Sequence, residues 1–441
     1  MGQTEVGFIG IVALMVLLFM GVPIGFTLVI VGFFGYAAIG GFTAALANVA
    51  ILPFDRLNDY HFAVLPLFIL MGSFVAHSRI GAEAYEMART WIGQLRGGLA
   101  MATEGGCAMF AAMAGTSSAG SIVMGQVAYP EMKKLGYSRQ MCAGAIASGG
   151  TMGILIPPSM AFVLIGILTE LSIGKLFIAG IIPGILEAVF YIITISILCR
   201  FNPSLGPATP KTTFKEKIWS VKLTWPVILL FLLIMGGIYG GFFTPTEAGA
   251  IGAFGALVIG VAKRQLSLSG IWESLVECAR MIGMVVILLI GAYTCNAFLA
   301  ITQIPYTISN FIAGLPLHPL VILLILIIFY IICGMFFDVF AVLILTIPIM
   351  YPLIAALGFD EIYGISPGMV LIWYSVLMVR IIEIGMVTPP FGLNLFILTG
   401  IINEPLNVLY RGVIPFVISD LFHVAMLVAF PVLSVYLVGQ M

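Results

Sequence analysis

Charge is what this chain has least of. Asp, Glu, Lys and Arg make up 8% of its 441 residues, with 4 His and 6 Cys. A soluble core of this length would need a far more polar surface around it, which excludes a soluble globular protein. The net charge of −1 gives no sign of an acidic partner, and no nucleic acid is expected. Cys107, Cys142, Cys199, Cys278, Cys295 and Cys333 lie scattered in apolar segments with no CxxC spacing. Disulfide, zinc and iron–sulfur readings therefore lack support, and the thiols read as core filling. His61, His77, His318 and His423 are equally dispersed. A phosphate loop is missing as well: Gly174-Lys175 is followed by Leu176 and has no upstream glycine, so an ATP-driven pump is excluded. Gln3-Thr4-Glu5 supplies no basic region ahead of the apolar run from Val6, so the first span is expected to remain uncleaved.

Apolar residues are abundant, at 61% of the chain, and mean hydropathy is +1.18. About 20 consecutive apolar residues span a bilayer as a helix, and such runs recur from end to end. The pattern predicts an all-α polytopic membrane protein embedded in the lipid bilayer. Spans are expected near 6–20, 24–45, 62–78, 140–170 (interrupted), 175–200, 223–243, 246–262, 281–300, 368–402 (interrupted) and 412–438. Tracts 98–130 and 319–357 are long enough for two short helices each, but a small or polar cluster breaks each of them midway. They read as re-entrant hairpins. Residues 80–96 and 270–280 mix charged and apolar positions at helical spacing, as interfacial helices do. All but Arg56, Lys175 and Arg380 of the 18 Lys and Arg fall in 79–96, 131–139, 200–222, 263–280 and 404–411. That bias makes those segments cytoplasmic and puts both termini outside. The expected organisation is 1–78 N-terminal scaffold spans, 79–97 an interfacial arm, 98–200 a first repeat and 201–222 a cytoplasmic connection. Further scaffold spans and an arm follow at 223–280, a second repeat at 281–411 and a last span at 412–441.

Two motifs interrupt the apolar pattern in the same way. Gly153-Ile154-Leu155-Ile156-Pro157-Pro158-Ser159 and Gly385-Met386-Val387-Thr388-Pro389-Pro390 are both G-x-x-x-P-P, and each follows a hairpin tract. In this topology the first hairpin opens from the cytoplasm and the second from outside. Two hairpin-plus-broken-helix units of opposite orientation make an inverted repeat, the signature of a secondary transporter with its site at the repeat interface. Proline lacks an N–H and clashes with the preceding turn, while glycine accepts backbone angles that other residues avoid. The freed carbonyls, with Ser, Thr or Asn oxygens, suit Na⁺, and the half-helix that follows points its positive end at an anion.

Individual residues admit more than one reading. Gly115-Thr116-Ser117-Ser118-Ala119-Gly120-Ser121 can serve close helix packing or, opposite a broken helix, offer ligands. Asp338 can ligate a cation, cap a half-helix or lie at a hydrated mouth. Arg380 and Glu383, spaced i,i+3, read as a structural ion pair. Glu104 and Glu247 lie in apolar surroundings with no partner that the sequence names.

With these residues in view, the chain resembles a known family: the large membrane subunit of tripartite ATP-independent periplasmic (TRAP) transporters, the dicarboxylate-type M component. The likeness covers nearly the whole chain. It runs through Leu65-Pro66-Leu67-Phe68-Ile69-Leu70-Met71-Gly72, the Gly115 to Ser118 tip, Pro130-Glu131-Met132-Lys133-Lys134 with Gly136-Tyr137, and Gly150 to Ser159. It continues through Gly180 to Gly184, Gly237-Ile238-Tyr239 with Phe243 to Ala248, Gly334 to Asp338, and Thr388 to Phe396. One departure is Glu383-Ile384 ahead of the second break. The resemblance implies Na⁺-coupled import of an organic anion, a carboxylate or sulfonate, across the bacterial inner membrane. It further implies a soluble periplasmic substrate-binding protein, a small four-helix membrane subunit, here expected to be unfused, and an elevator mechanism in which a transport domain slides against a scaffold. Candidate Na⁺ ligands are Gly115, Thr116, Ser117, Ser118, Thr151, Gly153 and Pro157 in the first unit and Asp338, Gly385, Thr388 and Pro389 in the second. Candidate substrate contacts are Ser118, Pro158, Ser159, Pro390, Gly392 and Asn394.

Two other functions fit these residues less well. An ion channel would need a continuous polar pore, whereas the polar residues here gather at two mid-membrane points. An intramembrane protease would need a Ser with a base or two facing aspartates, and Ser117 has no evident base while Asp338 has only the distant Asp420. No enzymatic activity is expected.

Overall fold

The computed structural model of the protein describes residues 2–441, apart from the side chains of Arg56, His61, Val227 and Ala313; His61 among the dispersed histidines thus lies outside the described side chains. Among the described residues all regular structure is helical. The N-terminal group is α1 (Gln3–Phe19), α2 (Ile24–Gly40), α3 (Phe42–Leu57), α4 (Val64–Ala76) and α5 (Ile80–Ile92). A helix–turn–helix follows, α6 (Gly98–Ala114) and α7 (Ser117–Lys134), then the first broken helix, α8 (Arg139–Thr151) and α9 (Met160–Thr169), and α10 (Ile173–Phe201). A second group holds α11 (Phe214–Tyr239), α12 (Pro245–Ala262), α13 (Leu268–Thr302) and α14 (Ile304–Ala313). The second helix–turn–helix is α15 (Pro319–Phe336) and α16 (Val339–Ala356), joined through α17 (Phe359–Tyr363) to the second broken helix, α18 (Pro367–Val387) and α19 (Leu393–Ile402). The chain ends with α20 (Leu406–Ala429) and α21 (Val432–Val435).

By length and composition α10, α12, α13, α15, α16, α18 and α20 can each cross a membrane, so the protein is multi-pass. The list includes both arms of the second helix–turn–helix, so length alone would let α15 and α16 span rather than re-enter. Four expectations need correction. The span placed at 24–45 is two helices, because Gly41 adopts φ 87 and ends α2. Residues 270–280 are no separate element but the first turns of α13, whose 35 residues reach about 50 Å, well past a hydrocarbon layer of about 30 Å. The charged face that suggested an interfacial helix is therefore the projecting end of a continuous one. Residues 304–313, left without a helix in the sequence reading, form α14 with Pro305 in its first turn. The last span stops at Ala429, ahead of Pro431, rather than running to 438.

The two units pack in an exchanged pattern. Each upstream half-helix sits on its own helix–turn–helix, α8 on α6 and α7, α18 on α15 and α16. Each downstream half-helix crosses to the other unit, α9 onto α16 and α19 onto α7. The next helices also reach across, α20 packing on α8, and α10 on α18 as well as on α6 and α9 of its own unit. The centre is α18, buried without interruption from Ile372 to Val387. Large apolar side chains face outward on the periphery, among them Phe8, Phe19, Trp219, Trp225 and Phe311.

Candidate functional site at two broken helices

At the first break α8 tightens into a 3₁₀ turn at Met152–Ile154 and the chain stays non-helical to Ser159. Ser159 spans the gap: its hydroxyl donates to the Ile154 carbonyl and accepts from Phe162 N–H at 3.4 Å, capping α9. The α6–α7 tip seals the opening from above. Gly115, at φ 65, lies so close that a Cβ there would meet the Pro158 carbonyl at 2.8 Å, and its own carbonyl accepts from Met160 N–H at 3.3 Å. A Cβ on Gly153 would collide with the Thr116 carbonyl. Thr151, Gly153, Pro157, Pro158 and Ser159 are buried, as are Gly115 and Ser117, with Thr116 and Ser118 half-buried. Thr151 Oγ1 donates to the Ser148 carbonyl at 2.6 Å, which leaves its oxygen free to accept.

The second break is differently finished. Thr388 ends α18, its N–H reaching the Gly385 carbonyl at 3.1 Å and its hydroxyl donating to the Ile384 carbonyl at 2.6 Å. Thr388 and Pro389 are half-buried, and Pro390 and Phe391 are exposed. The α19 cap position is Gly392 at φ 67, which has no side chain to cap with. Here the tip approaches from α15: a Cβ on Gly385 would lie 2.6 Å from the Ile331 carbonyl and 2.7 Å from Gly334 Cα. Phe336 and Phe391 pack with ring centroids 4.5 Å apart and planes tilted by 40°. Asp338 caps α16, Oδ1 accepting from Phe340 and Ala341 N–H at 2.8 and 3.2 Å. Of its three readings the capping one is made, with the second oxygen left over. Asn394 is buried and turned to the other unit, donating to the Ala147 carbonyl on α8 at 2.9 Å.

Beside the second break lies a buried ionic cluster that the sequence disclosed only in part. The Arg380–Glu383 pair forms at 3.0 Å. The same guanidinium also bonds Glu187 of α10 at 2.7 Å, Asp420 of α20, and His423 Nδ1 at 3.1 Å. All three carboxylates and the arginine are at most 1% exposed. A carboxylate or guanidinium isolated in a predominantly apolar helix was the signal for Glu187 and Asp420; their separation along the chain hid the meeting. Glu247, named above as unpartnered, closes a capping box with Thr244 at 2.8 Å. On the segment between α19 and α20, Glu404 accepts from Tyr129 and meets Lys133 and Arg139, both at 3.4 Å, tying α7 and α8 to the second unit. Burial pushes its carboxyl up, but the Tyr129 hydrogen bond and the Arg139 and Lys133 charges more than offset this and hold it below the ordinary carboxylate range.

The structure thus brings the first-unit tip, Gly115 and Thr116, against Pro158 and Gly153 of the first break, and places Gly385 against α15, with Thr388 and Pro389 following at the end of α18. Among the described residues no three His, Cys, Asp or Glu side chains are arranged to hold a metal ion. Any cation here would be held by carbonyls and hydroxyls, with Asp338 the one carboxylate among the candidates.

A helical multi-pass chain with two interlocked broken helices has the architecture of a membrane transporter. Its fold matches that of the solved YdaH transporter of Alcanivorax borkumensis, with a TM-score of 0.60 over 89% of each chain at 14% identity. Residues 11–433 match the family model described as the tripartite ATP-independent periplasmic transporter, DctM component. The chain is 33% identical over 394 residues to the C4-dicarboxylate TRAP transporter large permease protein of Pseudomonas aeruginosa, covering 89% of this chain and 90% of that one. It is 32% identical to the isethionate TRAP transporter permease protein of Oleidesulfovibrio alaskensis over 91% of this chain and 61% of that one. It is 27% identical to the sialic acid TRAP transporter large permease protein of Vibrio cholerae over 94% of both. The chain belongs to the DctM family of TRAP transporter large permeases. It is a multi-pass protein of the bacterial inner membrane, a permease and not an enzyme.

Proposed function

We propose that this chain imports a small organic anion, a carboxylate or sulfonate, by Na⁺-coupled elevator-type alternating access. A soluble periplasmic binding protein delivers the substrate, and a small four-helix membrane subunit supports the scaffold. The observation that carries the reading is the pair of tip–break contacts, in which backbone meets backbone at glycine in both units, Gly115 and Gly153 in the first and Gly334 and Gly385 in the second. Na⁺ would be held in the first unit by the 115–118 tip with Thr151, Gly153 and Pro157, and in the second by Gly385, Thr388, Pro389 and the spare oxygen of Asp338. The anion would lie between them, near the uncapped N-terminus of α19 at Gly392 and the half-buried Ser118. Ser159 is a weaker candidate, because its one hydroxyl proton is already donated to Ile154. The substrate class follows the names of the relatives, which specify C4-dicarboxylate, isethionate and sialic acid. Sliding is supported by an apolar cavity of about 580 Å³ between α1, α2 and α13 on one side and α15 and α16 on the other, lined by Leu14, Phe298, Phe337 and Met350.

Reconstitution in proteoliposomes tests the reading: the chain alone, with the small subunit, and with small subunit plus loaded binding protein. Na⁺-driven accumulation should require the full set. Accumulation of free substrate by the chain alone at the same rate would contradict it.

A further inference from the structure

Glu104 of α6 belongs to neither break, yet it is 0% exposed and neither carboxyl oxygen has a hydrogen-bond partner. It rests on α8 where that helix has two adjacent glycines. A Cβ on Gly149 would lie 2.5 Å from Glu104 Oε2, and one on Gly150 would collide with the Ser121 hydroxyl. The hydroxyls of Ser121 and Ser148 are buried and unpartnered as well. Three polar side chains from α6, α7 and α8 therefore share a groove floored by glycine, one turn ahead of the first break. No cation reaches it. Arg380 is taken by Glu187, Glu383 and Asp420, Arg89 of α5 by Glu86 and Glu131, and Lys133 of α7 by Glu404. The titratable groups acting on Glu104 are Cys107 on its own helix and Asp420 on α20, the latter bonded to Arg380. An ionised carboxylate so placed, desolvated and with no hydrogen-bond donor or cation beside it, is the costliest state available to it. Among the described residues no third His, Cys, Asp or Glu converges there to share its charge through a metal ion.

We propose that Glu104 is a proton-binding site, neutral in the conformation described here, and that hydration of the α6–α8 contact during transport releases its proton. Binding is the simple addition of H⁺ to the carboxylate, with the new O–H offered to the neighbouring serine hydroxyls. Release returns the proton to water once the groove is wetted, so proton occupancy follows the movement of the first helix–turn–helix against α8. The link to transport rests on the proposed function; the proton site itself does not.

Infrared difference spectra of the purified full chain at neutral pH, wild type minus Glu104→Gln, should contain a protonated-carboxyl stretching band. Glu104→Gln should also melt within about 2 °C of wild type, because the amide copies the neutral acid in shape and charge. If that variant does not fold, Glu104→Ala supplies the same difference spectrum. A difference spectrum without the band overturns the proposal, as does a carboxylate band in its place. In proteoliposomes, wild-type uptake should change by roughly tenfold per pH unit beyond its midpoint while Glu104→Gln stays flat over that range. Parallel profiles would overturn the link to transport. Loss of all uptake in wild type with the infrared band present would instead strike the proposed function and leave the proton site standing.

Discussion

The two breaks share a motif and differ in finish. At the first, Ser159 straps the gap and caps α9, and the tip carbonyl of Gly115 takes up Met160 N–H. At the second, Gly392 leaves α19 uncapped and Pro390 and Phe391 are exposed. The first break is therefore buried beneath its tip, and the second keeps Pro390 and Phe391 at the surface, with the Pro390 carbonyl accepting from Tyr410. The junctions behind them differ as well. Where α20 crosses α8, Gly412 and Gly144 meet so closely that a Cβ on Gly412 would lie 3.0 Å from Gly144 N. Where α10 crosses α18, the corresponding junction is the Arg380–Glu187 ion pair at 2.7 Å. One unit is held by backbone proximity, the other by buried charge, so the same operation on both should not cost the same.

Removing the charge should have the largest effect. Arg380→Met leaves three buried carboxylates without their counter-ion and should cost about 3–5 kcal/mol, read as loss of the folded, monodisperse protein in thermal unfolding. Retention of wild-type stability would show that the cluster is already neutral. Next, Gly385→Val and Gly153→Val both force a side chain into a backbone contact, at about 1–3 kcal/mol each. Uptake should suffer in both, but substrate protection against thermal unfolding should survive better in Gly153→Val if the anion sits at the second break.

Cation coupling sharpens the contrast further. Thr388→Val removes a half-buried hydroxyl and should raise the Na⁺ needed for half-maximal uptake by roughly tenfold, about the worth of one hydrogen-bond-scale contact. Asp338→Asn keeps the α16 cap, since Asn caps as well as Asp, and so should leave stability unchanged. A rise in half-saturating Na⁺ in that variant would mark the spare oxygen as a ligand, and an unchanged value would leave Asp338 as a cap alone. The smallest effect belongs to the Glu404 tie between the units. Its carboxyl titrates below the ordinary 4.5, so its contribution is fully present above that pH and is lost as pH falls through the lowered value. Because Lys133 and Arg139 are 59% and 67% exposed, the contribution should be below about 1 kcal/mol. Glu404→Gln should remove this part of the acid dependence of melting, and an unaltered acid limb would exclude it.

Much of this was legible in the chain itself. The paired G-x-x-x-P-P motifs located both breaks, because unwinding is a local consequence of Gly and Pro. Asp338 was readable as a cap for the same reason, since a carboxylate just ahead of an apolar helix has N–H groups at hand. What escaped depended on partners far away in sequence. Arg380 could be joined to Glu383 by helical spacing, but Glu187, Asp420 and His423 come from two other helices and meet it only through the crossed packing. The α2–α3 division was hidden because Gly40-Gly41 interrupts an apolar run without any polar residue to mark it. The continuity of α13 was hidden for the opposite reason, a charged face that resembles an independent interfacial helix. The difference in finish between the breaks turns on Ser159 against Gly392, a contrast visible in the sequence but mute until the tip contacts are known.

The proposed coupling of Na⁺ to substrate movement runs through the two tip–break contacts. Its most direct test is substrate uptake into proteoliposomes holding this chain with its small subunit and loaded binding protein, at one external Na⁺ concentration, with internal Na⁺ either absent or equal to it. The account predicts accumulation above the external free substrate concentration only with the inward gradient, abolished by Thr388→Val at low Na⁺. Equal accumulation with and without the gradient would contradict it.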